Sequence, residues 1–268
     1  MFHHTTYPTP MTTFNVTERF IHACNKEKGY VCVVIGPMFS GKTSTLIQVY
    51  NQIQQSISFD KSVKCFNYSE DTRYGENTNI ISHDKTSIEA IPIKEARSML
   101  DHVEDADIFL INEGQFMTGL YDVTKQLLEH KKKVLIVGLD FDYRKQWFEE
   151  MEKIVIDMED YCTYKENKKI FDTHTHTETH SNTSTSTSQE STESTESSGS
   201  SSDNTYKGVV SYPAILRRVA FCDMCRSSIA HYTCRTIKSD SRILIGSNEA
   251  YKPVCIQCYH RNETAQNK

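Results

Sequence analysis

Lys42 and Thr43 end an eight-residue run, Gly36-Pro37-Met38-Phe39-Ser40-Gly41-Lys42-Thr43, that fits G-x-x-x-x-G-K-[ST]. Such a loop wraps backbone N–H groups around a polyphosphate, its lysine reaches the β- and γ-phosphates, and its hydroxyl holds Mg²⁺. Gly36 and Gly41 allow the tight turn and the close backbone approach that a Cβ would obstruct. A second cluster is sulfur-based. Cys222-x-x-Cys225 and Cys255-x-x-Cys258 form two knuckles, the spacing of a four-thiolate tetrahedral zinc site with no open position, hence a structural one. The other cysteines, Cys24, Cys32, Cys65, Cys162 and Cys234, have no partner spacing and are expected to be core or surface thiols.

These groups need elements to aim them. Tyr30 to Ile35 (YVCVVI) is a continuous apolar, β-branched run, as in a strand buried on both faces of a parallel sheet. The residues from Lys42 onward place Leu46, Ile47, Val49, Tyr50 and Ile53 with helical spacing. Strand, glycine loop and helix N-terminus together make an anion site. Ser62 to Asn67, Asp107 to Asn112 and Lys133 to Leu139 predict further strands, and Gly119 to His130 an amphipathic helix. Alternating strands and helices predict an α/β fold with a mostly parallel sheet. Ligands then sit beyond the carboxyl ends of the strands, where Asp71, Glu113 and Asp140 are expected to converge.

Composition narrows the function. Residues 173–203 contain no aliphatic or aromatic side chain, so this Ser/Thr/Glu-rich insertion is expected to be disordered. Its five acids match the formal net charge of −5, which leaves the remainder neutral. A neutral folded part argues against nucleic acid as a partner. There is neither an apolar run long enough for a membrane span nor a signal-peptide core, so the expected location is cytoplasmic. Residues 1–28 are expected to be a polar, disordered extension, 29–172 a nucleotide-binding domain, 204–262 a zinc-binding domain and 263–268 a tail.

The motifs in order resemble the type II, zinc-containing thymidine kinases of animal cytosol and poxviruses. They are GPMFSGKT at 36–43, DTRY at 71–74, His83-Asp84, EGQF at 113–116, Leu139-Asp140, the paired knuckles, and Tyr251 four residues before Cys255. The resemblance covers roughly residues 30–160 and 215–260 and implies a RecA-like phosphate-loop domain plus a small zinc-binding lasso. It implies transfer of the γ-phosphate of ATP to the thymidine 5′-hydroxyl, with Glu113 as general base. The phosphate loop (Gly36 to Thr43), Asp71, Thr72, Arg73, Asn112, Glu113, Gly114 and Gln115 would bind ATP, with Thr43 on magnesium. Met38, Phe116, Leu139, Tyr143, Phe148, Thr233, Arg242, Ile243, Leu244, Ile245, Gly246 and Tyr251 would surround thymidine. Feedback by dTTP and a homo-oligomer, a tetramer, also follow from the resemblance. Three departures stand out. Asn112 replaces the family's usual Asp, Phe141-Asp142 a Gly-Thr-like turn, and Arg242 an apolar residue expected to act through its backbone.

Overall fold

The structure, a computed structural model, describes residues 16–56, 60–71, 78–158, 214–239, 241–244, 246 and 249–266. The expected disorder of 173–203 lies outside the described residues, as do Thr72, Arg73 and Ile245.

The four apolar runs become strands: β1 (Tyr30–Ile35), β2 (Val63–Tyr68), β6 (Ile108–Ile111) and β7 (Lys133–Gly138). The short strands β3 (Asn79–Ile81) and β4 (Ser87–Glu89) pair as an antiparallel hairpin, and β5 (Ile91–Ile93) follows. Helix α2 (Lys42–Gln55) leaves the phosphate loop, α3 (Leu120–Glu129) joins β6 to β7, and α4 covers 149–158. With β8 (Ala214–Arg217) the main sheet has six strands in the order β5-β2-β6-β7-β1-β8, all pairs parallel. Burial on both faces explains the unbroken apolar runs, and β1, β6 and β7 are buried throughout. One face packs against α2 through Leu46, Ile47, Val49 and Ile53, the other against α3 and α4 through Leu120, Leu127, Met151 and Ile154.

Three expected boundaries change. Residues 1–28 are not uniformly without structure, because Val16–Cys24 form helix α1. Phe20, Ala23 and Cys24 are buried, and Phe20 packs beside Tyr30 with ring centroids 6.2 Å apart. The spacing of Val16, Phe20, Ala23 and Cys24 is a helical stripe, outweighed in the sequence by the prolines and threonines before it. Strand β8 (Ala214–Arg217), expected in the zinc-binding part, instead pairs with β1 and extends the main sheet. The C-terminal helix α5 (Ile256–Gln266) continues into the expected tail.

The zinc-binding part proper is small. A two-residue hairpin, β9 (Ala220–Phe221) with β10 (Ile229–Ala230), carries the first knuckle. A second antiparallel pair, β11 (Tyr232–Arg235) with β12 (Tyr251–Val254), brackets a long loop. Burial pushes the Cys24, Cys32 and Cys65 thiols up to about 12, so they are inert core groups at neutral pH. No helix among the described residues is long and apolar enough to cross a membrane.

Phe20 is fully buried between α1 and the sheet. Phe20→Ala should therefore lower folding stability by about 3–4 kcal/mol. A denaturant titration showing less than about 1 kcal/mol would mean that α1 is not part of the core.

Candidate active site

Register decides what meets at the carboxyl edge of the sheet. Ile35 pairs with Gly138, and Ile111 with both Ile136 and Phe66. Strands β1 and β7 therefore end level, while β6 ends two residues earlier, so that Asn112 and Glu113 run on beside the last residues of β7. Asn112, Glu113 and Leu139 open onto one cavity with an empty volume of about 1340 Å³, mouth included.

The phosphate loop forms one wall. Gly36 has φ 144°, and a Cβ there would fall 2.3 Å from the Arg218 carbonyl oxygen, so the end of β8 admits only glycine beneath the loop. Lys42 Nζ donates to the Pro37 carbonyl at 2.7 Å. The Thr43 hydroxyl donates to Asn112 Oδ1 at 3.2 Å, and Asn112 Nδ2 donates to Asn67 Oδ1 at 2.9 Å. One chain of polar contacts thus joins the start of α2 to the ends of β6 and β2.

Glu113 follows directly. Its backbone is left-handed, φ 56° and ψ 39°, which is uncommon for a side chain of this size and typical of a functional position. Gln115 Nε2 donates to Glu113 Oε2 at 2.6 Å, while Gln115 Oε1 accepts from Leu139 N–H at 2.9 Å. A Cβ on Gly138 would sit 2.6 Å from that Gln115 oxygen. The missing side chain at 138 is what lets the amide pass between β7 and Glu113. Gln115 therefore fixes the carboxylate from below.

A loop from the zinc-binding part roofs the cavity. Thr233 Oγ1 accepts from Met38 N–H at 3.0 Å, tying β11 to the phosphate loop. Met38, Ala250 and Tyr251 pack with Phe39, Leu139, Tyr143 and Leu244 into an apolar lining. The described residues of the loop have little regular structure; a buried guanidinium shapes their path. Arg235, 2% exposed, donates to the carbonyls of Ser239, Ser241 and Arg242 at 3.1, 2.5 and 3.0 Å and to Tyr251 Oη at 2.8 Å. Tyr251 in turn donates to the Leu244 carbonyl at 2.9 Å, and the guanidinium lies 3.8 Å from the Tyr143 ring centre.

Beneath this loop the four knuckle cysteines gather, their sulfurs all within 4.8 Å of one another. A tetrahedral centre with Zn–S bonds of about 2.3 Å has S···S edges of about 3.8 Å, and Cys225 and Cys255 already stand 3.9 Å apart. Hydrogen bonds from the Ser227 hydroxyl and backbone hold the Cys225 thiol down to about 5, whereas burial and the neighbouring thiols push Cys258 up to about 12. Four thiolates at this spacing need a cation between them, so the donor set fits zinc. The next residue, Tyr259, donates to the Tyr143 carbonyl at 2.6 Å. The cluster therefore braces the cavity wall as well as the loop.

Most of the expected site residues line this one cavity. They are Met38 to Thr43, Asp71, Asn112, Glu113, Phe116, Leu139, Tyr143, Phe148, Thr233, Arg242, Ile243, Leu244, Gly246 and Tyr251. Gly36, Pro37, Gly114 and Gln115 are absent from that lining. Asp140, expected to converge with Asp71 and Glu113, does not: it is buried, pairs with Arg217 and caps the Phe141 N–H. Position after a strand gave the location but not the direction of its side chain. Arg242 is not a backbone contact alone, because its side chain bonds Asp142 and the Trp147 carbonyl. Asn67, Tyr68 and Ile81 also line the cavity, and Arg235 organises its roof. None had a motif to mark it.

A family model described as thymidine kinase matches residues 29–166 and 204–259. The chain is 27% identical over 237 residues to a thymidine kinase of Bacteroides fragilis, covering 88% of this chain and 89% of that one. It is 36% identical over 123 residues to a thymidine kinase of Coprothermobacter proteolyticus, covering 46% and 60%. Similarity to thymidine kinase 1 of Dictyostelium discoideum is 25% over 242 residues, covering 89% and 81%.

Arg235 holds three loop carbonyls at once, so Arg235→Met should release the loop without unfolding the sheet. Trypsin should then cut after Arg242 about tenfold faster than in the parent, a gain of local opening. An unchanged cleavage rate would show that the loop is held by something other than Arg235.

Proposed function

The chain belongs to the thymidine kinase family and phosphorylates thymidine with ATP, and we propose that Glu113 is the base of that transfer. The observation that carries this reading is the geometry of Glu113: strained, fixed by Gln115 and level with the phosphate loop. A carboxylate so held can accept the 5′-hydroxyl proton as the oxygen attacks the γ-phosphorus and ADP departs.

The phosphate loop and the N-terminus of α2 would take the triphosphate, with Lys42 leaving the Pro37 carbonyl for the β- and γ-phosphates. Oxygen donors suit magnesium. Thr43 and Asn112 would hold it, helped by Asp71 or Glu113, since all four line the cavity. The Thr43 hydroxyl donates its proton to Asn112, which leaves its oxygen lone pairs available to a cation. Bound magnesium would neutralise phosphate charge; Asn112, being neutral, adds none. Arg73 is assigned to the charge that develops on the moving phosphoryl group, on the resemblance alone.

The nucleoside would lie against Met38, Leu139, Tyr143, Leu244 and Tyr251, beneath the 242–246 backbone. Thr233, expected to offer its hydroxyl to the base, is engaged with Met38 N–H and so also sets the spacing between loop and roof. Zinc in the four-cysteine cluster is proposed as the structural anchor, and a cytoplasmic setting suits its thiols. Inhibition by dTTP and a homo-tetramer complete the reading and rest on the family resemblance.

Two measurements test it. Glu113→Gln should lower kcat for thymidine by about 10²–10⁴-fold with ATP affinity retained; near-parental kcat would remove Glu113 as the base. Stripping the cysteine-bound metal with a chelator should raise the thymidine KM well before ATP binding is lost, because Tyr259 and the β11–β12 loop brace chiefly the nucleoside side and touch the phosphate loop through the Met38–Thr233 bond. Equal loss of both would place the cluster's role in global folding instead.

A further inference from the structure

Two of the sequence's departures from the family lie on different parts of the chain. One is Asp142, in the turn after β7; the other is Arg242, in the roof loop. The structure joins them. Arg242 Nε donates to Asp142 Oδ2 at 2.8 Å, and Arg242 Nη2 donates to the Trp147 carbonyl at 2.7 Å. The guanidinium also sits 5.4 Å from the Phe148 ring centre. Asp142 is prepared for this partner. Its Oδ1 accepts from Arg144 N–H and Gln146 N–H, both at 2.9 Å, which leaves Oδ2 to face the loop. The Asp142 side chain is 1% exposed and that of Arg242 is 46% exposed.

We infer that the Asp142–Arg242 pair is a latch that holds the roof loop closed over the nucleoside, making Arg242 a positioning residue for thymidine binding. The inference rests on the reading that thymidine lies beneath the 242–246 segment. Both partners line the cavity, one on the sheet side and one on the roof side, so their bond closes the mouth between them. An apolar residue at 242 could pack against Phe148 but could not reach a carboxylate across the gap. An uncharged turn at 142 would offer no anion. The two substitutions make sense only together.

Removing one partner differs from removing both. With Arg242 gone, closing the loop buries the Asp142 charge without a counter-ion, and an unpaired buried charge costs more than a lost pair. Arg242→Met should therefore raise the thymidine KM about fivefold or more while kcat and the ATP KM stay near the parent values. Asp142→Asn, whose side-chain carbonyl can still cap the turn, should raise it less. Adding Asp142→Asn to Arg242→Met should bring KM back toward the Asp142→Asn value, and Arg242→Lys should restore part of the parent affinity. Salt at about 0.5 M should raise the parent KM but leave that of the double variant nearly unchanged. Leu139→Ala, on the sheet-side wall, serves as the control. A thymidine KM that moves in Leu139→Ala but not in Arg242→Met overturns the latch alone. A KM that moves in neither overturns the placement of thymidine as well. Additive effects in the double variant would show that the two residues act separately and would also overturn the latch.

Discussion

A loop with little secondary structure keeps one path over a cavity only if something else holds it, and here a buried guanidinium does so. Arg235 is almost fully buried and would be prohibitively costly there without acceptors. The roof loop has carbonyls that no strand partner satisfies. Each solves the other's problem: three loop carbonyls and the Tyr251 hydroxyl accept from one planar fork. Because the fork is rigid, the loop's path follows from where β11 and β12 place Arg235 and Tyr251, one directly opposite the other. The cysteine cluster holds both strands at the end away from the loop, since β12 leads straight into Cys255 and the hairpin that carries Cys222 lies just before β11.

The reacting side depends on a different constraint, the register in which the parallel strands end. With Ile35 opposite Gly138 and Ile111 opposite Ile136, Asn112 and Glu113 emerge beside the phosphate loop. The left-handed turn at Glu113 then redirects the chain so that Gln115 returns beneath its carboxylate. Gly138 is the matching concession on β7, an absent side chain where the Gln115 amide must pass. Backbone strain at Glu113 is thus balanced by two hydrogen bonds of Gln115 and one vacancy in packing.

The sequence made the sheet legible because strands buried on both faces must be apolar without interruption, and β1, β6 and β7 read that way. The phosphate loop and the paired knuckles were legible because their chemistry demands fixed spacing. What escaped had no local signature. Strand β8 is short and joins the sheet through a partner far away in sequence, Cys32 to Ile35. Helix α1 shows its apolar stripe only once the flanking Pro- and Thr-rich residues are set aside. Asp140 lies where an active-site acid would, yet pairs with Arg217, because position at a strand end does not decide which way a side chain turns. Arg235 has no motif to mark it, and its part follows only from the carbonyls the fold places around it.

The same limit explains Asp142 and Arg242, which read in the sequence as two separate departures with no link between them. Proximity across about 100 residues of sequence is invisible to spacing arguments and follows only from the fold. Seen as partners, they change how closure is driven. An apolar contact between roof and wall gains from burial and changes little with ionic strength. A carboxylate–guanidinium contact is directional and half open to solvent, so it fixes one loop register and weakens as salt screens it. In this chain the roof is thus shaped from within by a buried Arg235 and secured at its rim by a half-exposed Arg242. The first can be lost only with the loop's structure, whereas the second can break and re-form each time nucleoside enters or product leaves.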